Sequence, residues 1–139
     1  MDTFARERLP PKDQWPRLHF DLPELRYPER LNCATVLLDD AVAEGHGDRP
    51  AILTDGATIT YRELLAQANR IANALVAAGV EPGNRVLLRG YNGPTLYAAW
   101  LAVMKAGAIA VTTMPLLRAA ELTANIGKAK PALALSDQR

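Results

Sequence analysis

One helix is specified more completely than any other element of this sequence. Thr60 and Glu63 form a capping box, in which the threonine hydroxyl accepts the Glu63 backbone N–H and the carboxylate accepts the Thr60 N–H. Gly79 suits the left-handed position after a helix, and Val80 can return to Leu75 as in a Schellman ending. Between the two ends, apolar residues recur with the 3.6-residue period of one helical face. They are Tyr61, Leu64, Leu65, Ala68, Ile71, Ala72, Leu75 and Val76.

Downstream of this helix, apolar strands alternate with further helices. The predicted elements are a strand at 85–89, a helix at 94–105, a strand at 108–114, a helix at 118–128 and a strand at 132–135. Such alternation predicts βαβ units and an α/β fold with a mainly parallel sheet and flanking helices. Upstream, the strand-forming segments 51–54 and 58–59 enclose Asp55-Gly56-Ala57, which predicts a short β-hairpin.

The composition of these elements predicts how deeply each is buried. The helix at 94–105 is apolar almost all round and should lie in the interior. The strand at 108–114 is almost continuously apolar, as expected of a strand covered on both faces. In the helix at 118–128, Leu122 and Ile126 should point inward. The last strand should form an unguarded sheet edge and calls for a following helix, so the sequence reads as the front piece of a larger protein.

The first 42 or so residues divide into an arm and a short helix. Residues 1–30 are proline-rich and predict an extended arm, whereas residues 31–139 predict an α/β body. We expect the large apolar residues of the arm to anchor it on the body. They are Trp15, Leu18, Phe20, Leu22 and Tyr27. Asn32 can cap a helix from about Ala34 to Ala43. Its predicted inner side consists of Val36, Leu37, Ala41 and Val42.

Composition limits the classes of function. The chain has 139 residues, enough for one domain with a core, and 16 Lys and Arg against 15 Asp and Glu. Without a basic stripe, neither nucleic acid nor a membrane surface is expected as a partner. The single Cys33 cannot form an intrachain disulfide and is interpreted as a buried small apolar residue. The N-terminus lacks the apolar centre of a signal peptide, and the longest apolar run (96–104) is too short to cross a bilayer, so we expect a cytoplasmic protein.

Two turns follow predicted parallel strands, where ligands bind in doubly wound sheets. Gly90-Tyr91-Asn92-Gly93 matches no phosphate-binding motif and is interpreted as a tight turn. The turn from Thr112 to Arg118 combines two hydroxyls, a thioether and a guanidinium, which could line a small-molecule pocket. Structural roles explain the same residues: the threonines suit a strand, Met114 can fill a gap, and Arg118 can be a solvated residue at a helix start.

The remaining polar candidates form no catalytic or metal constellation. His19 and His46 lack partners at metal-ligand spacing and belong to no Ser-His-Asp set, so they are interpreted as surface residues. Asp39 and Asp40 are interpreted as a solvated pair. The sequence therefore offers no catalytic and no metal-binding residue.

An ordered series of short motifs runs from about residue 30 to the end. In chain order these are Ala51-Ile52, Thr60-Tyr61-Arg62-Glu63-Leu64, Ala68-Asn69-Arg70, Gly79-Val80-Glu81-Pro82-Gly83-Asn84-Arg85-Val86, Asn92-Gly93-Pro94, Lys105-Ala106-Gly107-Ala108, Pro115, Glu121-Leu122, Ala129-Lys130-Pro131 and Asp137. The series resembles the N-terminal stretch of the adenylate-forming, or AMP-binding, superfamily: acyl-CoA synthetases, adenylation domains of peptide synthetases, and luciferases. The turn at 113–118 and the proline-rich arm look most like benzoate- and 2-aminobenzoate-CoA ligases.

The resemblance implies the first part of the large N-terminal domain of an ATP- and Mg²⁺-dependent aryl-CoA ligase. Such an enzyme joins a carboxylate to AMP, releasing pyrophosphate, and coenzyme A then displaces AMP to give a thioester. The superfamily's phosphate loop, magnesium and adenine segment, ribose-binding Asp, hinge and late catalytic Lys lie beyond Arg139. The chain alone is therefore expected to be inactive and to bind no cofactor tightly. Its expected partners are the rest of the enzyme, the aromatic carboxylate, ATP and coenzyme A, with a homodimer also considered.

The residues that the resemblance offers for cofactor contact lie in the second turn: Thr113, Met114, Pro115 and Arg118. Arg118 could offer charge to a phosphate of coenzyme A, although an Arg at an exposed helix start opposes the helix dipole. Two alternatives stay open. One is a stand-alone non-catalytic α/β binding or interaction module. The other, less favoured, is a flavodoxin-like or receiver-like domain, which would need acidic residues after its first strand, where Thr54-Asp55-Gly56 serves a hairpin instead.

Overall fold

A computed structural model describes residues 1–137 of the chain. Its strands are β1 (Pro50–Leu53), β2 (Thr58–Thr60), β3 (Arg85–Arg89), β4 (Ile109–Thr113) and β5 (Leu133–Ser136). Its α-helices are α1 (Tyr61–Ala77), α2 (Pro94–Lys105) and α3 (Ala119–Ala129). Three short 3₁₀ turns lie in the N-terminal arm at Arg6–Arg8, Lys12–Gln14 and Pro23–Leu25, and two π-helical segments, Thr35–Asp40 and Val42–His46, precede β1.

The strands form two separate sheets. β1 and β2 pair antiparallel as the predicted hairpin. β3 lies between β4 and β5 and is parallel to both, with Leu87 opposite Val111 on one side and Ala134 on the other. Helix α2 connects β3 to β4 and helix α3 connects β4 to β5, so the predicted α/β fold with a parallel sheet and a short hairpin is confirmed. None of the helices within residues 1–137 is both long and apolar enough to cross a membrane.

Both ends of α1 have the predicted hydrogen bonds. The Thr60 hydroxyl accepts the Glu63 N–H at 3.2 Å, and the Glu63 carboxylate accepts the Thr60 N–H at 2.8 Å. At the other end Gly79 has a φ of 85°, and the Val80 N–H donates to the Leu75 carbonyl at 3.0 Å, which completes the Schellman motif. The hydrogen bond from the Thr60 N–H, followed by that from the Thr60 hydroxyl, lowers the pKa of Glu63.

We expect Thr60→Ala to lower the free energy of unfolding by about 1 kcal/mol, because the Glu63 N–H loses its acceptor. Urea denaturation of the 139-residue chain measures this change. Thr123→Ala is a suitable control, because Thr123 is exposed within α3 and caps nothing; its expected effect is under about 0.5 kcal/mol. Equal effects of the two substitutions would contradict the cap.

The core lies between α1, α2 and one face of β3. Val86 and Leu88 of β3 are 0% and 1% exposed, and Leu64, Ala68, Ala72 and Leu75 of α1 are buried with them. Only one side of α2 is interior: Ala98, Ala102 and Val103 are fully buried, whereas Tyr97 and Trp100 are exposed. The prediction that α2 lies in the interior is therefore wrong for the side that carries Tyr97 and Trp100, because α1 and the sheet cover only part of its circumference.

The strands flanking β3 are less covered than their composition predicts. β4 is an edge strand with Ile109 exposed, so the prediction of cover on both faces is wrong for this part of the chain. Helix α3 has no fully buried residue: Leu122 is half-buried, and Ile126, predicted to point inward, is exposed. β5 forms the other edge, as predicted. An apolar groove of about 440 Å³ runs beside it, lined by Ile71, Leu75, Leu133 and Leu135 among others.

The helix after Asn32 has its predicted cap and a different inner face. The Asn32 Oδ1 atom accepts the Ala34 N–H at 3.0 Å. Ala34 and Leu38 are buried, whereas Val36 and Leu37 are exposed, so the predicted inner side is wrong at these two positions. The π-helical hydrogen bonding widens each turn beyond 3.6 residues and moves a different set of side chains inward.

Two residues near this helix also differ from prediction. Cys33 is exposed rather than buried, because its neighbour Ala34 occupies the inward position. Asp39 is not simply solvated: the Lys105 ammonium at the end of α2 donates to both of its carboxylate oxygens at 2.6 Å. This ion pair links the π-helical segment Thr35–Asp40 to α2.

The arm is attached to the body by its first residues. The five predicted anchors, Trp15, Leu18, Phe20, Leu22 and Tyr27, are all exposed, so that prediction is wrong. Instead the Asp2 N–H donates to the Pro82 carbonyl at 2.8 Å, and the Asp2 carboxylate pairs with Arg85 and accepts from the Asn84 amide. The Arg85 guanidinium lies over the Phe4 ring, with its central carbon 4.3 Å from the ring centroid.

Arg85 joins this N-terminal segment to the end of α3. The residue is 7% exposed. Besides Asp2, its guanidinium donates to the Ala129 carbonyl at 2.9 Å and the Lys130 carbonyl at 2.8 Å. Lys130 has a φ of 45° at the end of α3, a conformation that side-chain-bearing residues rarely adopt. Arg85 therefore fixes the chain at a point where its backbone is unfavourable.

Asp2 makes the stability of the fold depend on pH. The Phe4 N–H, then Arg85 and Asn84, donate hydrogen bonds to its carboxylate and lower its pKa from the ordinary value of 3.8. A group whose pKa is lowered by folding stabilises the fold fully above its unfolded pKa, and this stabilisation is lost as the pH falls through the folded value. We therefore expect the difference in free energy of unfolding between wild type and Asp2→Asn to shrink below about pH 4. Urea denaturation across acidic pH measures it; a constant difference would contradict this role.

Candidate functional site

A cleft of about 640 Å³ opens at the carboxyl ends of β3 and β5. Its floor includes Leu88, Leu135 and Ala99, and its rim is polar. The polar rim residues are Arg89, Tyr91, Asn92, Thr95, Ser136 and Asp137. An apolar floor with a few polar groups around it is typical of a small-molecule pocket, and ligands of α/β sheets bind at this end of the strands.

The turn Gly90-Tyr91-Asn92-Gly93 forms one wall of this cleft. It connects β3 to α2, which begins at Pro94, as predicted for a proline in the first helical position. Tyr91 is 54% exposed, so its ring lies at the mouth of the cleft rather than in the core. The interpretation of this turn as only a tight connection is incomplete, because its residues also line the cleft.

The four predicted site residues lie together on the next turn, outside the cleft. Thr113 ends β4, and its hydroxyl donates to the Leu88 carbonyl at 3.4 Å, a weak bond to the scaffold. Met114 is 63% exposed, and the Leu117 N–H donates to its carbonyl to close the turn at Pro115. Arg118 is exposed, and its backbone N–H donates to the Glu121 carboxylate at 2.7 Å. None of the four lines the cleft.

Arg89 connects the cleft to this turn. It is the last residue of β3 and lines the cleft, and its Nη2 atom donates to the Pro115 carbonyl at 2.5 Å and the Leu117 carbonyl at 3.3 Å. Its Nε atom is buried and has no acceptor within the described chain. An unpaired buried donor costs about 1–3 kcal/mol, so this placement of Arg89 is unfavourable except for its bonds to the turn.

The site has the geometry of a binding surface. Across residues 1–137, no group of three or more His, Cys, Asp or Glu side chains could hold a metal ion. The histidines lie elsewhere, His19 beside Asp21 in the arm and His46 beside Glu44 before β1. The described residues therefore supply a cleft, an exposed thioether at Met114 and the exposed charge of Arg118, which can bind and orient a ligand, whereas the Arg89 guanidinium is bonded to the turn.

Comparison with known proteins identifies the scaffold that carries this cleft. The family model of the AMP-binding enzymes matches residues 39–139, which is most of the chain. The chain belongs to the AMP-binding enzyme family. A 3-hydroxybenzoate-CoA/4-hydroxybenzoate-CoA ligase of Thauera aromatica is 41% identical over 88 residues, or 63% of this chain. The matched region is 17% of the length of that ligase, so this AMP-binding chain spans about a sixth of its relative.

Solved structures of adenylate-forming enzymes share the fold. The N-terminal subdomain of NpsA from Klebsiella oxytoca aligns with a TM-score of 0.66 and 29% identity, covering 73% of this chain and 26% of that one. The anthranilate CoA ligase AuaEII, solved with anthranoyl-AMP, aligns with a TM-score of 0.70 and 25% identity, covering 76% of this chain and 20% of that one. The resemblance to the N-terminal part of the adenylate-forming superfamily is therefore confirmed.

Sequence reasoning did not single out Arg89 or the cleft. Arg89 stands at the end of an apolar strand, where a charged residue often marks only the return to solvent. Its two acceptors are backbone carbonyls 26 and 28 residues away, and carbonyl positions leave no trace in side-chain patterns. The one available signal was its place at the carboxyl end of a parallel strand, which this AMP-binding chain shares with the turn after β4.

Proposed function

We propose that this chain is the N-terminal part of an ATP-dependent aryl-CoA ligase. The observation that carries the proposal is the 41% identity to a hydroxybenzoate-CoA ligase within a chain of the AMP-binding family. The reaction joins an aromatic carboxylate to the α-phosphorus of ATP, releasing pyrophosphate, and the coenzyme A thiolate then attacks the acyl carbon and expels AMP. Fixed cations and aligned reactants account for most of the rate gain expected in such transfers.

Within this class we propose 2-aminobenzoate or a related benzoate as the substrate. The fold likeness to an anthranilate CoA ligase supports the choice, since anthranilate is 2-aminobenzoate. The proline-rich arm and the Thr113–Arg118 turn support it from the sequence. We also propose that the reaction takes place in the cytoplasm.

We propose that the turn after β4 contacts coenzyme A through Thr113, Met114, Pro115 and Arg118. Arg118 is exposed at the start of α3, where its guanidinium can reach a phosphate without being desolvated. Met114 offers an exposed, adaptable apolar contact. Thr113 and Pro115 contribute shape, since the Thr113 hydroxyl already donates to the Leu88 carbonyl.

The proposal assigns the chemical steps to the part of the enzyme beyond this chain. ATP and Mg²⁺ belong to the longer polypeptide, and residues 1–137 contain no group suited to a metal ion. In this proposal the chain supplies scaffold and one wall of the coenzyme A path, and it is inactive by itself. The arm at 1–30 and the body at 31–139 are proposed as its two structural units.

Thioester formation by the longer polypeptide tests this proposal. The enzyme is incubated with ATP, Mg²⁺, coenzyme A and a panel of benzoates, and the acyl-CoA product is separated chromatographically. We expect a benzoyl-type thioester, with 2-aminobenzoate among the best substrates. Arg118→Ala should raise KM for coenzyme A about tenfold, and Lys128→Ala, which removes an exposed charge near the other end of α3, should leave it unchanged. Absence of any aromatic thioester would overturn the proposal.

A further inference from the structure

The guanidinium of Arg89 binds neutral backbone acceptors. Its Nη2 atom reaches the carbonyls of Pro115 and Leu117, which lie on either side of Leu116. Both bonds come from this one nitrogen, whose two N–H groups lie in the rigid plane of the guanidinium, so together they restrict where the turn lies relative to β3. The Thr113–Arg118 path is thereby tied to the carboxyl end of β3.

Packing alone gives no reason for an arginine at this position. Residue 89 follows Leu87 and Leu88, both buried, and an apolar side chain there would leave no buried donor unpaired. Arg89 is instead half-buried, with its Nε atom lacking an acceptor in the described part of the chain. The hydrogen bonds to the Pro115 and Leu117 carbonyls are the favourable interactions that offset the cost of this buried, unpaired Nε atom.

The turn needs such a tie because its other connections are weak. The Thr113 hydroxyl bond to Leu88 is 3.4 Å long, and the Leu117 N–H bond to the Met114 carbonyl is 3.2 Å and internal to the turn. Helix α3, which follows, has no fully buried residue to hold the turn from its far side. The side chains of Met114, Leu116 and Arg118 are exposed.

We propose that Arg89 is a positioning residue that fixes the turn after β4, and through it the contact with coenzyme A. The inference rests on the proposed function and deepens it. Arg89 does not touch the ligand in this account: it acts through Pro115 and Leu117, and it places Met114 and Arg118 on the outer side of the turn. Because it also lines the cleft, a single residue couples the cleft wall to the coenzyme A surface.

Two variants and one matched control test the inference. Arg89→Met removes the charge and the donors but keeps an unbranched, shorter apolar stem, and Arg89→Lys keeps the charge on a tetrahedral ammonium instead of a planar guanidinium. Arg70→Met is the control, since Arg70 is an exposed arginine of α1 remote from the turn. In the longer enzyme we expect Arg89→Met to raise KM for coenzyme A about tenfold while changing ATP–pyrophosphate exchange less than about twofold. Arg89→Lys should fall between, and Arg70→Met should match wild type.

Amide hydrogen exchange in the 139-residue chain gives a second readout that needs no ligand. In Arg89→Met we expect the Leu117 amide to exchange faster than in wild type, with the exchange rates of the amides in the core strands and helices unchanged. That result would support the tie between Arg89 and the turn. An unchanged KM for coenzyme A in Arg89→Met would overturn the inference. So would an equal loss of ATP–pyrophosphate exchange and of thioester formation in that variant. If the wild-type enzyme forms no thioester at all, the proposed function fails. The positioning role is tested separately: an unaltered rate of amide exchange at Leu117 in Arg89→Met would overturn it.

Discussion

Leu88→Ala is expected to lower the free energy of unfolding by about 3 kcal/mol. Leu88 is 1% exposed in the middle strand of the parallel sheet and packs in the cluster formed with α1 and α2. Removing three carbon atoms there loses buried apolar contact and leaves a cavity that the flanking strands cannot fill. Urea denaturation followed by circular dichroism measures the loss.

The control for this substitution is Leu53→Ala. Leu53 is 73% exposed at the end of β1, so its truncation should change the free energy of unfolding by less than about 0.5 kcal/mol. If Leu88→Ala were as mild as Leu53→Ala, the assignment of β3 as the central, covered strand would be contradicted.

Arg85→Met is expected to lower the free energy of unfolding by roughly 3 kcal/mol. The substitution leaves the Ala129 and Lys130 carbonyls without their charged donor, and each such bond contributes about 1.5–3 kcal/mol. It also removes the charged partner of Asp2 and one of the cations that lie over the Phe4 ring. The N-terminal residues should therefore detach from β3, which limited proteolysis near Phe4 would detect alongside urea denaturation.

Arg62→Met provides the matched comparison. Arg62 also donates to a carboxylate, that of Asp48, at 3.1 Å, but both side chains are largely exposed, and exposed pairs contribute under about 1 kcal/mol. A loss for Arg85→Met no greater than for Arg62→Met, with proteolysis at Phe4 unchanged, would contradict the role of Arg85 in joining the N-terminal segment to α3.

Features encoded over short distances in the chain could be predicted from the sequence. The capping box of α1 depends on two residues three positions apart, and the Schellman ending depends on Leu75, Gly79 and Val80. The hairpin and the alternation of strands with helices are equally local. Each of these predictions is confirmed, because the hydrogen bonds that satisfy them form between near neighbours.

Features that depend on distant contacts could not be predicted in the same way. The arm is attached through Asp2 and Phe4 to Arg85, more than 80 residues away, and no periodicity connects them. The large apolar residues of the arm were the natural anchors by composition, yet they stay exposed. The inner face of the first helix changed because π-helical turns contain more residues than the 3.6-residue period assumes.

The candidate site shows the same division. Its location at the carboxyl ends of parallel strands follows from topology, and the sequence predicted both turns that lie there. Sequence patterns do not show which of the two turns lines a cleft. The connection through Arg89 depends on the positions of the Pro115 and Leu117 carbonyls. Backbone acceptors carry no residue identity, so only the folded structure reveals them.

ATP–pyrophosphate exchange tests the central claim most directly, because it isolates adenylate formation from the later thioester step. The assay is run with a panel of aromatic acids on the longer polypeptide and, in parallel, on the 139-residue chain. We predict exchange that depends on an aromatic acid in the longer polypeptide and none above background in the chain alone. Exchange by the chain alone, or no exchange with any aromatic acid in the longer polypeptide, would contradict the account.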